Sequence, residues 1–313
     1  MTYSGISRRH FLGSVGVAVG GLSARQLLAA EPPADSIALG MMLQGASAAE
    51  VLAKAKLVAA VGFESVQVTF FFPPTADELK TLARRLADLK LRVRAFGTYF
   101  NLFRPDDTHF MGSCQATMKM VAAHAEQFDC RQFVTWSGSY SPQFAGEDPR
   151  NHTAEAVALL QRQIREVVLP ILDPIGGRVA FEPYFPHVIG TLELTREALA
   201  PFSADRVGIV LDPPNYITPA LYPSRDEQLR RLFRLVGDRI HIVHFKDMKL
   251  NANGTRVDLP GPGGGEMNYP LVIAEIRKQQ RPLACIIEHI KADEAEMART
   301  KAWVVAQLQK PSA

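Results

Sequence analysis

Cysteine is scarce in this chain. Cys114, Cys130 and Cys285 are the only three in 313 residues, widely spaced and without a CxxC pair, which excludes a disulfide framework. Cys285 sits inside an apolar run and reads as a small core residue. Net charge is nearly absent as well: +3 over the whole sequence, without the basic clusters that mark a nucleic-acid surface. Beyond the first thirty residues no run approaches the roughly 18 apolar residues of a membrane span. A G-x-G-x-x-G turn is missing too. The first apolar run ends in "MMLQGAS" (41–47), which argues against a doubly wound dinucleotide-binding sheet.

What is present begins with an export pattern. "SRRHFLG" (Ser7 to Gly13) leads into a Gly- and Ala-rich run that ends at Ala29 and Ala30. Paired arginines, a mild apolar stretch and small residues at its end read as a twin-arginine signal over residues 1–30. The sequence thus predicts a periplasmic or otherwise exported protein whose remaining domain covers 31–313. Few cysteines fit that route, because a twin-arginine substrate folds in a reducing compartment before it is moved.

From residue 37 onward, short apolar runs alternate with longer helical patterns. Strands are predicted at 37–44, 65–70, 91–99, 131–136, 178–184, 206–212, 240–247 and 283–289, each followed by a helix. The helices are expected near 47–60, 75–89, 111–128, 153–172, 193–200, 225–236, 269–279 and 292–308. Strands separated by helices pair in parallel. Eight such units in about 250 residues predict a single α/β domain, a (β/α)8 TIM barrel.

In such a barrel the active groups stand at the C-terminal ends of the strands. The fifth strand ends in Glu182, the sixth in Asp212 and the eighth in Glu288, while the seventh carries His244 near its end. Side chains alternate across a strand. Glu182 shares a face with Ala180, Asp212 with Val210 and Gly208, His244 with Ile242, and Glu288 with Ile286 and Ala284. The residues between them, Phe181, Leu211, Val243 and Ile287, suit the layer beneath the helices. All four polar groups can therefore face the barrel mouth. Three carboxylates and one imidazole form a hard donor set, suited to Mn²⁺ first and to Mg²⁺, Co²⁺ or Zn²⁺. A cation would let Glu182 stay ionised at the tip of an apolar strand.

Three stretches, "VHFKD" (243–247), "LPGPGGGEMNY" (259–269) and "CIIEH" (285–289), resemble the sugar isomerase/epimerase family with the xylose-isomerase-like barrel, which includes tagatose and psicose 3-epimerases. The resemblance spans nearly all of the chain after the signal. It implies one divalent metal, often manganese, held by Glu182, Asp212, His244 and Glu288. It further implies that Glu182 and Glu288 are the catalytic pair, moving a proton α to a carbonyl while the metal stabilises an enediolate. The expected activity is isomerisation or epimerisation of an unphosphorylated sugar or sugar derivative.

The chain departs from the ketose epimerases at two positions. Asn215 stands where they have a histidine, and Leu250 where they have an arginine. Lys246 and His187 are offered instead, so Lys246, His187 and Asn215 are the expected substrate-binding groups. Lys246 shares parity with His244; its competing readings are a pair with Asp247 or a solvated loop lysine. His187, in a proline-flanked loop, is expected at the rim, with a general acid/base role as the alternative. An aromatic wall is expected from Phe70, Phe71, Phe72, Tyr99, Phe100 and Trp136, with Trp136 and Phe72 as the pocket residues, since aromatic faces pack on the C–H faces of sugars. "GPGGGE" (261–266) lacks lysine and arginine and is read as a tight turn rather than a phosphate site.

Three rival functions remain at this stage. A lyase that cleaves 3-keto-glycosides by β-elimination would use the same proton abstraction. A DNA-repair endonuclease of the related endonuclease IV type needs several more histidines on the early strands, where His109 is the nearest. A sugar-binding barrel without turnover would ignore chelators. The expected partner is a small sugar, with no nucleic acid and no membrane insertion after signal removal; a homo-oligomer is left open.

Overall fold

The computed structural model describes residues 37–310; the signal expected over 1–30 lies outside them. Eight strands run in parallel around a closed barrel. In chain order they are β1 (Ile37–Gly45), β2 (Ser65–Phe70), β3 (Arg92–Gly97), β4 (Gln132–Trp136), β5 (Arg178–Glu182), β6 (Val207–Leu211), β7 (Ile240–Phe245) and, after an intervening hairpin of β8 (Lys249–Leu250) and β9 (Val257–Asp258), β10 (Leu283–Ile287). The ring closes where β1 pairs with β10, for example Leu39 beside Cys285. The barrel was legible from alternation alone. The hairpin was not, because two-residue strands carry no periodicity to detect.

The helices are α1 (Ala48–Ala60), α2 (Ala76–Asp88), α3 (Gln115–His124), α4 (Ala154–Gln163), α5 (Leu169–Leu172), α6 (Leu192–Leu199), α7 (Arg225–Val236), α8 (Tyr269–Lys278) and α9 (Glu294–Leu308). Their starts follow local chemistry. Thr75 and Glu78 form a reciprocal capping box at α2, and Thr153, Thr191 and Asp293 each accept an orphan amide at α4, α6 and α9, as small polar N-caps do. The helix expected over 153–172 is interrupted by a π turn, Ile164–Val168. Pro170 lacks the amide that a regular ladder would need. Among the described residues no helix is long and apolar enough to cross a membrane.

Two packed layers follow from strand alternation. Outward residues Phe181, Leu211, Val243 and Ile287 are fully buried under the helices. Each such side chain contributes about 1.5–3 kcal/mol through burial. Inward residues Ala95, Val134, Ala180, Val210, Ile242 and Ile286 fill the barrel interior. That plug closes the barrel from below, so the inward side chains two residues further along each strand stand at the mouth. Gly97 is needed there: a Cβ at that position would lie 2.4 Å from Thr69 Oγ1 and 2.8 Å from the Tyr99 ring.

Candidate metal centre

Glu182, Asp212, His244 and Glu288 converge. Each offers one ligand atom, and these atoms all lie within 4.8 Å of one another. The four side chains are buried and come from the ends of four successive barrel strands. The His244 Nδ1 atom lies 3.4 Å from Glu182 Oε2, 3.7 Å from Glu288 Oε2 and 4.0 Å from Asp212 Oδ2.

A shell of uncharged donors fixes their orientation. Tyr99 Oη donates to Glu182 Oε2 at 2.6 Å. The Asn215 amide donates to Asp212 Oδ2 at 2.7 Å and to Glu182 Oε1 at 3.2 Å. Gln67, from β2 on the far side of the barrel, donates its NH2 to Tyr99 Oη and Thr69 Oγ1 and turns its oxygen to His244 Nε2 at 3.0 Å. That network puts the imidazole hydrogen on Nε2 and leaves Nδ1 facing the carboxylates. Lys246 Nζ lies 2.7 Å from Asp212 Oδ2 and 2.8 Å from Glu288 Oε1, the second contact being out of line for a hydrogen bond.

Three buried atoms in this cluster have no hydrogen-bond partner: His244 Nδ1, Asp212 Oδ1 and Glu288 Oε1. Buried polar atoms are ordinarily satisfied, and here the exceptions share one small volume. Charge makes the same demand. In the protonation states that ligands take, neutral imidazole and ionised carboxylates, three carboxylates and one ammonium leave a balance of −2. Both observations fit a divalent cation bound by oxygen and imidazole.

The titration behaviour has the same cause. Burial pushes the His244 imidazole toward neutrality, but the carboxylates of Glu182 and Glu288 outweigh it and raise its pKa to about 9. Burial likewise opposes ionisation of Glu182, yet His244, Lys246 and the Tyr99 hydroxyl hold it down at about 2. Asp212 is pushed well up by burial and by the neighbouring carboxylates, despite Lys246. Lys246 loses charge preference through burial and regains more from Asp212 and Glu288, so it stays an ammonium. A cluster left to itself thus gathers protons where a cation would remove the need for them.

Beside the cluster opens a cavity of about 260 Å³, walled by Phe71, Tyr99, Trp136, Phe144 and Tyr184 and reached by Asn215, Lys246, Glu288 and His289. His289 has a left-handed backbone, φ 59°, and its Nδ1 is tied to the Leu259 carbonyl at 2.7 Å. That leaves Nε2 as the free ring atom, 3.9 Å from Glu288 Oε1.

The model of the xylose isomerase-like TIM barrel family matches residues 55–307. This chain belongs to that family. No curated protein matches it. Among solved structures it is similar to a xylose isomerase-like TIM barrel protein from Mycobacterium smegmatis in complex with magnesium, at 15% identity and a TM-score of 0.65, covering 89% of this chain and 98% of the other. A 3-keto-D-glucoside 4-epimerase from E. coli gives 12% identity and a TM-score of 0.62 over 87% of this chain and 100% of the other. An L-ribulose 3-epimerase gives 13% and 0.61 over 88% and 95%. At these identities the likeness concerns the barrel fold.

Within this family barrel the other expected residues are distributed unevenly. Asn215, Lys246 and Trp136 line the cavity. Lys246 is not paired with Asp247, whose carboxylate instead accepts the amides of Met248, Gly263 and Met267 and so anchors the glycine-rich turn. Phe72 lies outside the lining and packs edge-on against Phe70, 5.8 Å between centroids. Alternation explains it: β2 ends with Phe70 outward, so Phe71 points in, where it stacks on Tyr99, and Phe72 points out. Phe100 is buried in the outer core. His187 is not at the rim. It is fully buried, surrounded by Phe110, Trp136, Phe144 and Tyr184, with Nε2 on the Phe144 carbonyl at 2.8 Å. Burial holds its pKa down at about 4.

Sequence reasoning passed over Gln67, Phe144, Tyr184 and His289. For Gln67 a signal existed: a lone amide at an inward position of the run "SVQVTF", where burial requires a partner. Phe144 comes from an irregular loop, and nothing in its neighbours announces its direction.

Proposed function

We propose that this chain is a divalent-metal-dependent isomerase or epimerase acting on an unphosphorylated sugar or sugar derivative. The observation that carries the reading is the convergence of Glu182, Asp212, His244 and Glu288 around three unsatisfied buried atoms, at the mouth of a barrel whose solved neighbours include two sugar epimerases by name. These four residues would hold the cation, manganese first, with Mg²⁺, Co²⁺ or Zn²⁺ as substitutes. When bound, it supplies Lewis acidity that makes the C–H beside a substrate carbonyl more acidic.

The chain's own groups then divide the proton transfers. One of Glu182 and Glu288 takes the proton from the C–H bond as that bond breaks, and its electron pair stays on the substrate. The other carboxyl returns a proton to carbon. Glu182 is well suited to begin as a base, because His244, Lys246 and Tyr99 keep it ionised and Tyr99 and Asn215 fix its direction, and positioned carboxylates of this kind contribute about 10²–10⁴ in rate. Lys246 keeps Asp212 and Glu288 from repelling one another. The aromatic wall excludes water from one side of the cavity.

A second reading has its own support. Asn215 has its amide engaged by Glu182 and Asp212, and Leu250 lies in the β8 hairpin strand. Neither takes over the hydroxyl-holding role expected of a ketose epimerase. The same proton abstraction from a 3-keto-glycoside would break the bond to the aglycone by β-elimination: the electron pair left on carbon forms a C=C bond as the aglycone departs with the glycosidic pair. Metal-loaded protein incubated with free ketoses and with 3-keto-glycosides, followed by mass-resolved product analysis, tests both. An isomer of equal mass supports the first reading and a released aglycone the second. Turnover of neither substrate, or turnover unaffected by a chelator, overturns the metal chemistry.

We also propose export through the twin-arginine route, on the "SRRHFLG" motif. Replacing Arg8 and Arg9 together by lysine should retain the protein inside cells that otherwise export it; unchanged fractionation would sink that reading.

A further inference from the structure

We infer that the cavity is built for an uncharged glycoside carrying an aromatic or similarly flat apolar aglycone, not for a bare or phosphorylated monosaccharide. This deepens the keto-sugar reading and rests on it for the sugar end of the ligand. The aromatic wall is a continuous arc. Phe71 stacks on Tyr99 at 6.0 Å, Tyr99 meets Trp136 at 4.9 Å, Trp136 meets Phe144 at 5.0 Å, and Phe144 stacks on Tyr184 at 4.9 Å with 4° between planes. Tyr99 and Trp136 are buried at the inner end, whereas Phe71, Phe144 and Tyr184 stay partly exposed toward the opening. A single sugar ring reaching Glu182 and Glu288 meets the inner rings only. The outer three leave an apolar surface that a sugar's hydroxyls cannot satisfy, and exposed apolar surface of this kind marks a ligand contact.

Outside the metal cluster the lining offers nothing to hold an anionic substituent. Lys246 is the one lysine or arginine on the lining, and it is already shared by Asp212 and Glu288. The amides of the glycine-rich turn that could cradle a phosphate, at Gly263 and Met267, donate to Asp247 instead. Away from the four-ligand cluster, an anionic substituent would meet no lysine or arginine free to pair with it.

Binding of unreactive probes to the full chain, measured calorimetrically, tests this without turnover. Phenyl β-D-glucopyranoside should bind about tenfold more tightly than methyl β-D-glucopyranoside, the ratio that aromatic stacking supplies at the upper end of its measured range. Glucose 6-phosphate should bind more weakly than glucose. Phe144→Ala, in a loop outside the barrel strands, should reduce the phenyl preference to about twofold, read as the ratio of phenyl to methyl glucoside affinity within the same variant; Phe71→Leu provides an independent variant on β2's side of the arc with the same expected loss. Equal affinity for phenyl and methyl glucosides, or a preference untouched by both variants, overturns the inference. If neither keto-sugar substrate is turned over while the phenyl preference persists, the reaction class fails and the aglycone site stands.

Discussion

The two halves of the barrel mouth are built from opposite chemistry. On β5, β6, β7 and β10 the inward groups at the strand ends are Glu182, Asp212, His244, Lys246 and Glu288, every one ionisable. On β2, β3 and β4 the corresponding positions hold Phe71, Tyr99 and Trp136, all aromatic, with the uncharged Gln67 one layer below them on β2. The same backbone geometry therefore supports a charged cradle and an apolar wall, and what differs is only which residues alternation turns inward. The charged half carries the reaction in our reading. The neutral half orients, desolvates and selects. Removing one feature at a time from each half tests that division.

The largest effect should come from the charged half. Glu288→Gln keeps the shape and removes the carboxylate charge, so turnover on whichever keto sugar proves to be the substrate should fall by about 10²–10⁴. A Trp136→Phe change in the neutral half should instead alter KM more than kcat. Steady-state kinetics of both variants make the comparison, and a kcat for Glu288→Gln near that of the parent would remove Glu288 from the chemistry.

Lys246→Met comes next and sharpens the charge argument. Asp212 and Glu288 would lose their buried partner, and breaking such a pair costs about 3–5 kcal/mol. The metal-free protein should therefore melt markedly lower. Its charge balance would become more negative by one, so added Mn²⁺ should raise Tm by more than it does in the parent. Equal metal-induced shifts in the two proteins would count against a cation at this site.

The neutral half should show itself in acid. His187 sits in an aromatic cage with its pKa lowered to about 4 by burial, against about 6.5 when unfolded. The unfolded chain thus binds the proton more readily, and the stability associated with neutral His187 is complete above about pH 6.5 and lost as pH falls toward 4. The full loss is about 3 kcal/mol. His241, at the start of β7 and lowered to about 4 in the same way, adds a similar loss. His187→Gln should then remove about half of the decline in unfolding free energy between those pH values; an unaltered slope would mean that the cage is open to water.

How much of this was legible beforehand divides along the same line. The charged half could be read because acidic residues at the tips of apolar strands are costly and therefore conspicuous, as Glu182 and Asp212 are. The barrel could be read because eight apolar runs alternate with eight helical patterns. The neutral half was harder. Phe70, Phe71 and Phe72 look equivalent in sequence, and the strand register alone sends Phe71 into the cavity and Phe72 to the helices. His187 looked like a rim residue because prolines flank it; three of the four rings around it, from Phe110, Trp136 and Phe144, arrive from more than forty positions away. Loop closure of that kind leaves no local trace.

Gln67 is where the two halves meet, and its removal is the smallest and most pointed test. From the neutral half it holds Nε2 of His244 in the charged half and at the same time donates to Tyr99, which in turn holds Glu182. Gln67→Leu keeps approximate volume and removes both hydrogen bonds. Such outer partners of ligating imidazoles typically contribute 10–100-fold in metal affinity, so calorimetric Mn²⁺ affinity should fall by about that factor. Gln67→Glu should restore part of it, since a carboxylate can still accept from Nε2. Affinity unchanged by Gln67→Leu would mean that the halves act independently and that the imidazole is positioned by its strand alone.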